Sequence, residues 1–168
     1  MLEIKGLTKK YKNADKNAIE DINLTIENGD IYGFIGPNGA GKSTTIKCLV
    51  GIHSFEKGSI MLDGLSIKDN PIEFKHQISY VPDNPDLYEF LTGMEYINFV
   101  SNVYDEDVSK EDIINLAKKF NLENNLLEPI RTYSHGMKQK IALIGALIHK
   151  PKLIVLDEPF VGLDPKAA

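Results

Sequence analysis

Gly36-Pro37-Asn38-Gly39-Ala40-Gly41-Lys42-Ser43-Thr44 is the stretch on which the reading of this chain turns. It follows a short apolar run, Ile31 to Ile35, and precedes an apolar-periodic run, Ile46 to Ile52, so the order is strand, glycine loop, helix. Glycines at Gly36, Gly39 and Gly41 let the backbone curl until successive N–H groups face one centre. A helix dipole beginning near Lys42 adds partial positive charge at that centre. The stretch therefore reads as a phosphate site rather than a glycine-rich turn with an incidental lysine. Lys42 reaches the β and γ phosphates of a nucleotide, Ser43 offers a hydroxyl to Mg²⁺, and Thr44 adds a polar group beside them.

The 168 residues make one domain's worth of polypeptide with enough apolar side chains for a real core. A formal net charge of -5 argues against a sequence-independent nucleic-acid surface, since neutralising phosphates takes a basic excess. The single cysteine, Cys48, lies in the apolar helix after the loop and reads as a small buried thiol in a reducing compartment. The first residues lack a secretory pattern, and no apolar run approaches the roughly 20 residues of a membrane span. Work at a membrane would thus go through a partner.

Leu2 to Leu7 alternates like a half-buried strand, and Ile22 to Ile26 repeats the pattern before Glu27-Asn28-Gly29-Asp30. Asn-Gly signals a tight reversal, which places the strand into the phosphate loop directly after it. Tyr11, in a lysine-rich loop, either stacks on a nucleotide base or packs at the edge of a sheet. Gly58 to Ile67 reads as two short strands around Asp63-Gly64, Pro71 to Gln77 as a brief helix, and Ile78 to Val81 as a strand stopped by Pro82 and Pro85. Thr92-Gly93-Met94-Glu95 has capping-box spacing and opens a helix through Tyr104; Ser109 opens another through Phe120. From about Leu87 to Pro129 the chain reads as an all-helical insertion.

Ser134-His135-Gly136-Met137-Lys138-Gln139 opens a strongly apolar helix that Ser134 is placed to cap. Its N-terminus is either an anion site or an ordinary cap followed by a flexible glycine. Pro151 ends the helix, and Leu153 to Leu156 reads as a strand buried on both faces, as in a parallel sheet, ending in Asp157-Glu158. Buried carboxylates need compensation. Mg²⁺ for Asp157 and an attacking water for Glu158 supply it, the alternative for Asp157 being the cap of a following turn.

Taken together, these residues resemble the ATP-binding subunit of ABC transporters, over the whole chain and in order. The matching positions are Tyr11, the Walker A loop at Gly36 to Ser43, the loop after Tyr80-Val81-Pro82, the signature at Ser134 to Gln139, the Walker B strand ending at Asp157-Glu158, and the D-loop at Gly162-Leu163-Asp164-Pro165. The resemblance implies an α/β fold: a P-loop NTPase (RecA-like) core with N-terminal antiparallel β strands and an α-helical insertion. One ATP-binding domain then spans 1–168, with a helical subdomain at about 87–148. ATP and Mg²⁺ are the implied cofactors. Tyr11 would stack on the adenine, Gly36, Pro37, Asn38, Gly39, Ala40, Gly41, Lys42, Ser43 and Thr44 would hold the phosphates, and Ser43, Asp83 and Asp157 would face the metal. Lys42, Asp83 and Glu158 would be catalytic, Glu158 as general base. In a head-to-tail dimer, Ser134 and the Gly136 amide would clamp the γ-phosphate of the partner's ATP, and Asp164 would link the two sites. The implied partners are a transmembrane permease subunit and a second nucleotide-binding subunit, identical or not, with no nucleic acid. The implied place is peripheral, at the cytoplasmic face of the cell membrane.

Three departures qualify the match. Asp83 stands where glutamine is usual; being shorter and charged, it would reach the metal through water or contact it weakly, and a coupling role with altered geometry is preferred to that of a mere loop cap. His135 stands where glycine is usual, a variant similar to that of ATPases paired with separate exporter-type membrane subunits. The chain ends at Ala168 without a switch histidine, since His149 precedes Walker B. In the family's sheet the strand after the D-loop lies between the Walker A and Walker B strands. A C-terminally incomplete fragment of a longer gene product, lacking a central strand and turning over little ATP, is therefore the expectation. A soluble ABC-type ATPase acting as a mechanical switch on ribosome or DNA is the rival reading, disfavoured by the acidic charge and the signature variant. A small-molecule kinase would leave Asp157-Glu158 and Ser134 without a use.

Overall fold

The computed structural model describes residues 1–157, which fall into two compact units, Met1–Ile78 and Ser79 onward. In the first unit, β1 (Leu2–Lys9) alternates as its sequence demands and buries Leu2, Ile4 and Leu7. The register shifts between Ile4 and Leu7, where Gly6 takes φ 62°, and this bulge puts Leu7 and Lys9 rather than Gly6 and Thr8 on the inner face. β2 (Ile19–Ile26) and β3 (Lys57–Leu62) flank β1 antiparallel, with Ile4 opposite Leu24 and Ile60. β4 (Leu65–Ser66) completes the order β2-β1-β3-β4 after a turn in which Asp63 and Gly64 both have positive φ, 47° and 80°. Two helices belong to this unit. α1 (Lys42–Leu49) buries Thr45, Cys48 and Leu49, and α2 (Pro71–His76) starts on a proline, whose missing N–H costs nothing at a first helical turn.

One expected element does not form. The turn at Glu27 to Asp30 closes, with Asp30 N donating to Glu27 O at 3.3 Å, but residues 31–37 that follow have no regular structure. Ile31 and Ile35 are almost fully exposed, at 102% and 94%. A strand is held by its ladder rather than by its apolar pattern, and no described segment pairs with this one.

The second unit holds β5 (Ile78–Val81, its first residue at the boundary), α3 (Gly93–Val103), α4 (Lys110–Lys119), α5 (His135–Ile148) and β6 (Leu153–Leu156). The three helices close on a core of Ile97, Ile113, Ile130, Ile141, Ile144 and their neighbours. Their starts are specified by side chains. Thr92 and Glu95 form a reciprocal capping box on α3, Ser109 accepts from Asp112 N at 3.1 Å on α4, and Ser134 accepts from Met137 N at 3.3 Å on α5. Tyr133, buried just before α5, donates its hydroxyl to Asn125 O at 2.7 Å, and burial pushes its pKa up to about 12.

β6 pairs with β5 and, among the described residues, with no other strand. Of its residues only Val155 is buried, while Ile154 and Leu156 remain 40% and 38% exposed, so the expected burial on both faces is not met. The reason is the same as at Ile31: a double-sided strand needs neighbours to cover it.

Replacing Thr92 with Ala should lower the stability of the helical unit by about 1 kcal/mol, read as a lower urea midpoint with unchanged slope. The same box sets a pH dependence. Hydrogen bonds from the Thr92 backbone and then its side chain hold the Glu95 carboxyl below its usual range. The box is therefore intact above the ordinary carboxylate pKa and is lost only as pH falls through the depressed value, which a carbon-detected NMR titration of Glu95 would follow.

Candidate functional site

The phosphate loop belongs to the first unit, and its shape follows from two glycines in the left-handed region. Gly39 has φ 82° and Gly41 has φ 88°. Gly41 is also cramped, because a Cβ there would press on the Ile19 side chain and lie 2.8 Å from Ala18 O. The start of β2 thus supports the loop from below. Lys42 turns its ammonium inward and donates to Gly36 O at 2.6 Å and Pro37 O at 2.9 Å, which places the positive charge against the loop's own backbone.

The helix that follows is singular among the longer helices. α3, α4 and α5 each receive a side-chain cap, whereas α1 starts on Gly41 with none. Its first-turn N–H groups are left to an outside acceptor, beside a fixed ammonium and the positive end of the helix. That donor set fits a polyphosphate. Ser43 is exposed on the first turn, and Thr45 is buried and bonded to Gly41 O at 2.9 Å.

Tyr11 stands in the same unit, in the loop after β1, and is brought to the phosphate loop: its hydroxyl lies 3.4 Å from Thr44 Oγ1. The ring is 40% exposed and touches His53 edge to face at 5.7 Å between centroids. The ring thus keeps part of its surface open while resting against His53 and Thr44.

The second unit carries Asp83, Ser134, Gly136 and Asp157; Glu158 and Asp164 lie outside the described residues. Asp157 stands at the end of β6, its N–H donating to Val81 O at 3.0 Å and its carboxylate accepting from Tyr80 OH at 3.4 Å. Burial, and then the Asp157 charge, pushes the Tyr80 pKa up, so Tyr80 stays a donor to that carboxylate. Asp83 is exposed, and its backbone carbonyl accepts from Nε2 of Gln139, a buried side chain of α5. Ser134 caps α5 with its oxygen, and Gly136 lies in the first turn. Capping uses only the acceptor side of that hydroxyl, so the cap and the anion-site readings do not exclude each other.

Sequence reasoning assigned no role to Gln139, Tyr80 or Glu56. Gln139 carries a faint signal, a polar side chain on the apolar face of α5. Glu56 carries none, because its partners Lys9 and Lys10 are 47 and 46 residues away. Among the described residues no group of three or more His, Cys, Asp or Glu is placed to hold a metal. No helix among them is long and apolar enough to cross a membrane.

Comparison with known proteins agrees with this geometry. Residues 19–161 match the model of the family described as ABC transporter. The chain is 39% identical to the uncharacterized ABC transporter ATP-binding protein YhcH of Bacillus subtilis, covering 98% of this chain and 53% of that protein. It is 37% identical to the SkfA peptide export ATP-binding protein SkfE of the same organism, covering 98% of this chain and 68% of the relative. Among solved structures, the dimeric ATP-binding cassette MJ0796 in a post-hydrolysis state bound to ADP and Pi superposes with a TM-score of 0.86 at 26% identity, over 99% of this chain and 78% of that one. The fold is thus the α/β P-loop fold of an ATP-binding cassette. The chain belongs to the ABC transporter family, and it spans about half to two thirds of the length of these two relatives.

Gly41→Ala should lower stability by about 2 kcal/mol, from the left-handed backbone and the collision with Ile19. An unchanged denaturation midpoint would contradict the supporting role of β2.

Proposed function

We propose that this chain is the ATP-binding subunit of an ABC exporter, and that it binds and hydrolyses MgATP to drive a separate permease. The observation that carries the reading is the uncapped start of α1 with Lys42 folded into the loop before it. Membership of the family and likeness to the peptide-export relative and to the ADP-bound dimer support it.

In this reading the amides of Gly39 to Thr44 and the Lys42 ammonium hold the β and γ phosphates, and Tyr11 stacks on the adenine. Ser43, Asp157 and, through water, Asp83 would hold Mg²⁺, which when bound neutralises phosphate charge. Glu158 takes the proton of a water as its oxygen attacks the γ phosphorus and the bond to the β–γ bridging oxygen breaks, leaving ADP and phosphate. Ser134 and the Gly136 amide clamp the same phosphate from a second subunit in a head-to-tail dimer, and Asp164 links the two sites. Loss of the shared phosphate then opens the dimer.

The permease contact falls on the second unit. A groove of about 370 Å³ lies between the loop after β5 and helices α3 and α5, lined by Pro82, Pro85, Leu87, Phe99 and Val103 among others. Tyr88 and Phe90 stand exposed beside it. An apolar segment of the permease seated there would place the subunit at the cytoplasmic face of the membrane. The helical subdomain at about 87–148 shares this surface with the loop after β5.

In the full-length protein, Glu158→Gln should cut phosphate release by at least about 100-fold and accumulate ATP-bound dimers on gel filtration. ADP formation at the unchanged rate would remove Glu158 from the role of base. Gentle solubilisation of the tagged parent should recover a multi-span membrane protein; recovery of ribosomal proteins instead would reject the transporter assignment.

A further inference from the structure

The residue that would stack on the base is held only in part by its own loop, where Ala14 N donates to Tyr11 O at 3.0 Å and Ala18 N to Lys9 O at 2.8 Å. Tyr11 sits in the irregular segment between β1 and β2, and those bonds fix its backbone; the contacts that set its ring come from a distant segment, the turn that leaves α1. There, Glu56 divides its carboxylate. One oxygen takes the Lys9 ammonium at 3.0 Å and the other takes the Lys10 backbone N–H at 2.8 Å. Its own N–H donates to Thr8 O at 3.1 Å, so the chain leading into Tyr11 is gripped at three successive residues. Lys9 is 8% exposed, and its ammonium lies 5.8 Å from the Tyr11 ring centroid. Three residues before Glu56, the His53 imidazole meets the same ring perpendicular at 5.7 Å, and its backbone N–H is tied to Lys47 O at 3.0 Å, near the last turn of α1. The Tyr11 hydroxyl adds a contact to Thr44. Ring and hydroxyl of one exposed tyrosine are thus met by groups anchored to α1 or to the turn behind it.

We propose that Glu56 and His53 are positioning residues for the base platform, setting the height and tilt of Tyr11 relative to the phosphate loop that opens α1. The inference rests on the reading of Tyr11 as the adenine-stacking residue. Its physical basis is pre-organisation: an aromatic side chain in a loop must otherwise be ordered at the moment of binding, and that cost comes out of the affinity. Because α1 carries the phosphate loop at one end and this socket at the other, base and triphosphate are measured off one rigid element. Substitutions in the socket should weaken only the part of the affinity that the base supplies.

Two probes, ATP and inorganic tripolyphosphate, separate those parts when bound to the full-length protein in calorimetric titrations without divalent cation, so that no turnover intervenes. Tyr11→Ala should weaken ATP about tenfold and leave tripolyphosphate within about twofold. Glu56→Gln, which keeps the shape and removes the charge, and His53→Ala should each weaken ATP by about 3- to 10-fold, again without touching tripolyphosphate. His53→Phe should restore affinity, since a perpendicular ring is kept. Equal losses for both probes would mean general damage to the phosphate loop and would overturn the proposal. Unchanged ATP affinity in Glu56→Gln and His53→Ala, beside a loss in Tyr11→Ala, would overturn it while leaving the platform in place. Unchanged ATP affinity in Tyr11→Ala would remove the platform itself.

Discussion

The set of N–H groups at the start of α1, left without a side-chain partner and faced by Lys42, is the constraint that the first unit is arranged to satisfy. Exposed helix amides can be left to water, but then nothing would require two left-handed glycines and an ammonium turned back on the loop. The loop keeps that shape because β2 begins directly beneath it, with Ile19 and the Ala18 carbonyl where a Gly41 side chain would have to go. β2 in turn is placed by β1, and β1 by its pairing with β3. The support under the loop thus belongs to a four-stranded antiparallel sheet, and the Gly6 bulge is what lets Lys9 turn inward at the end of β1.

Lys9 shows how charge is handled in that sheet. A buried ammonium is tolerated when a carboxylate and a ring answer it. Glu56 and Tyr11 do so, and the backbone N–H of Lys10, first, together with Lys9 draws the Glu56 pKa down. The carboxylate is therefore charged wherever the protein would work, and the pair is disturbed only as pH falls through that depressed value. The Cys48 thiol nearby is pushed the other way by burial, which makes it an inert core group and not a reactive one.

The second unit solves a different problem, that of presenting a helix start and a strand end at defined points. Tyr133 is pinned through its hydroxyl to Asn125, Ser134 caps α5, and Gln139 reaches from α5 to the backbone of Asp83. The turn before α5 is further tied to residues 89–91, with Ile130 N donating to Leu91 O at 2.8 Å and Arg131 N to Glu89 O at 3.0 Å. These bonds decide where Ser134 and Asp83 stand. Their buried members are satisfied, which is the condition under which polar groups specify a structure instead of weakening it.

Elements whose stability is local were legible from the residues: the caps at Thr92, Ser109 and Ser134, the Asp63-Gly64 turn, the glycine loop, and the alternation of β1 all carry their reason within a few positions. Ile31 to Ile35 and Leu153 to Leu156 have the same apolar signature as any buried strand, and there the pattern overreached, because exposure depends on which strands lie alongside. The sequence alone determined the make-up of the glycine loop, since the reading of a phosphate cradle asks only for backbone N–H groups, small residues and one lysine at fixed spacing. Only the tertiary structure decided what holds Tyr11 and Asp83 in place. Glu56, His53 and Gln139 act across long stretches of chain, and a contact between distant residues is chosen by packing, which no local pattern encodes.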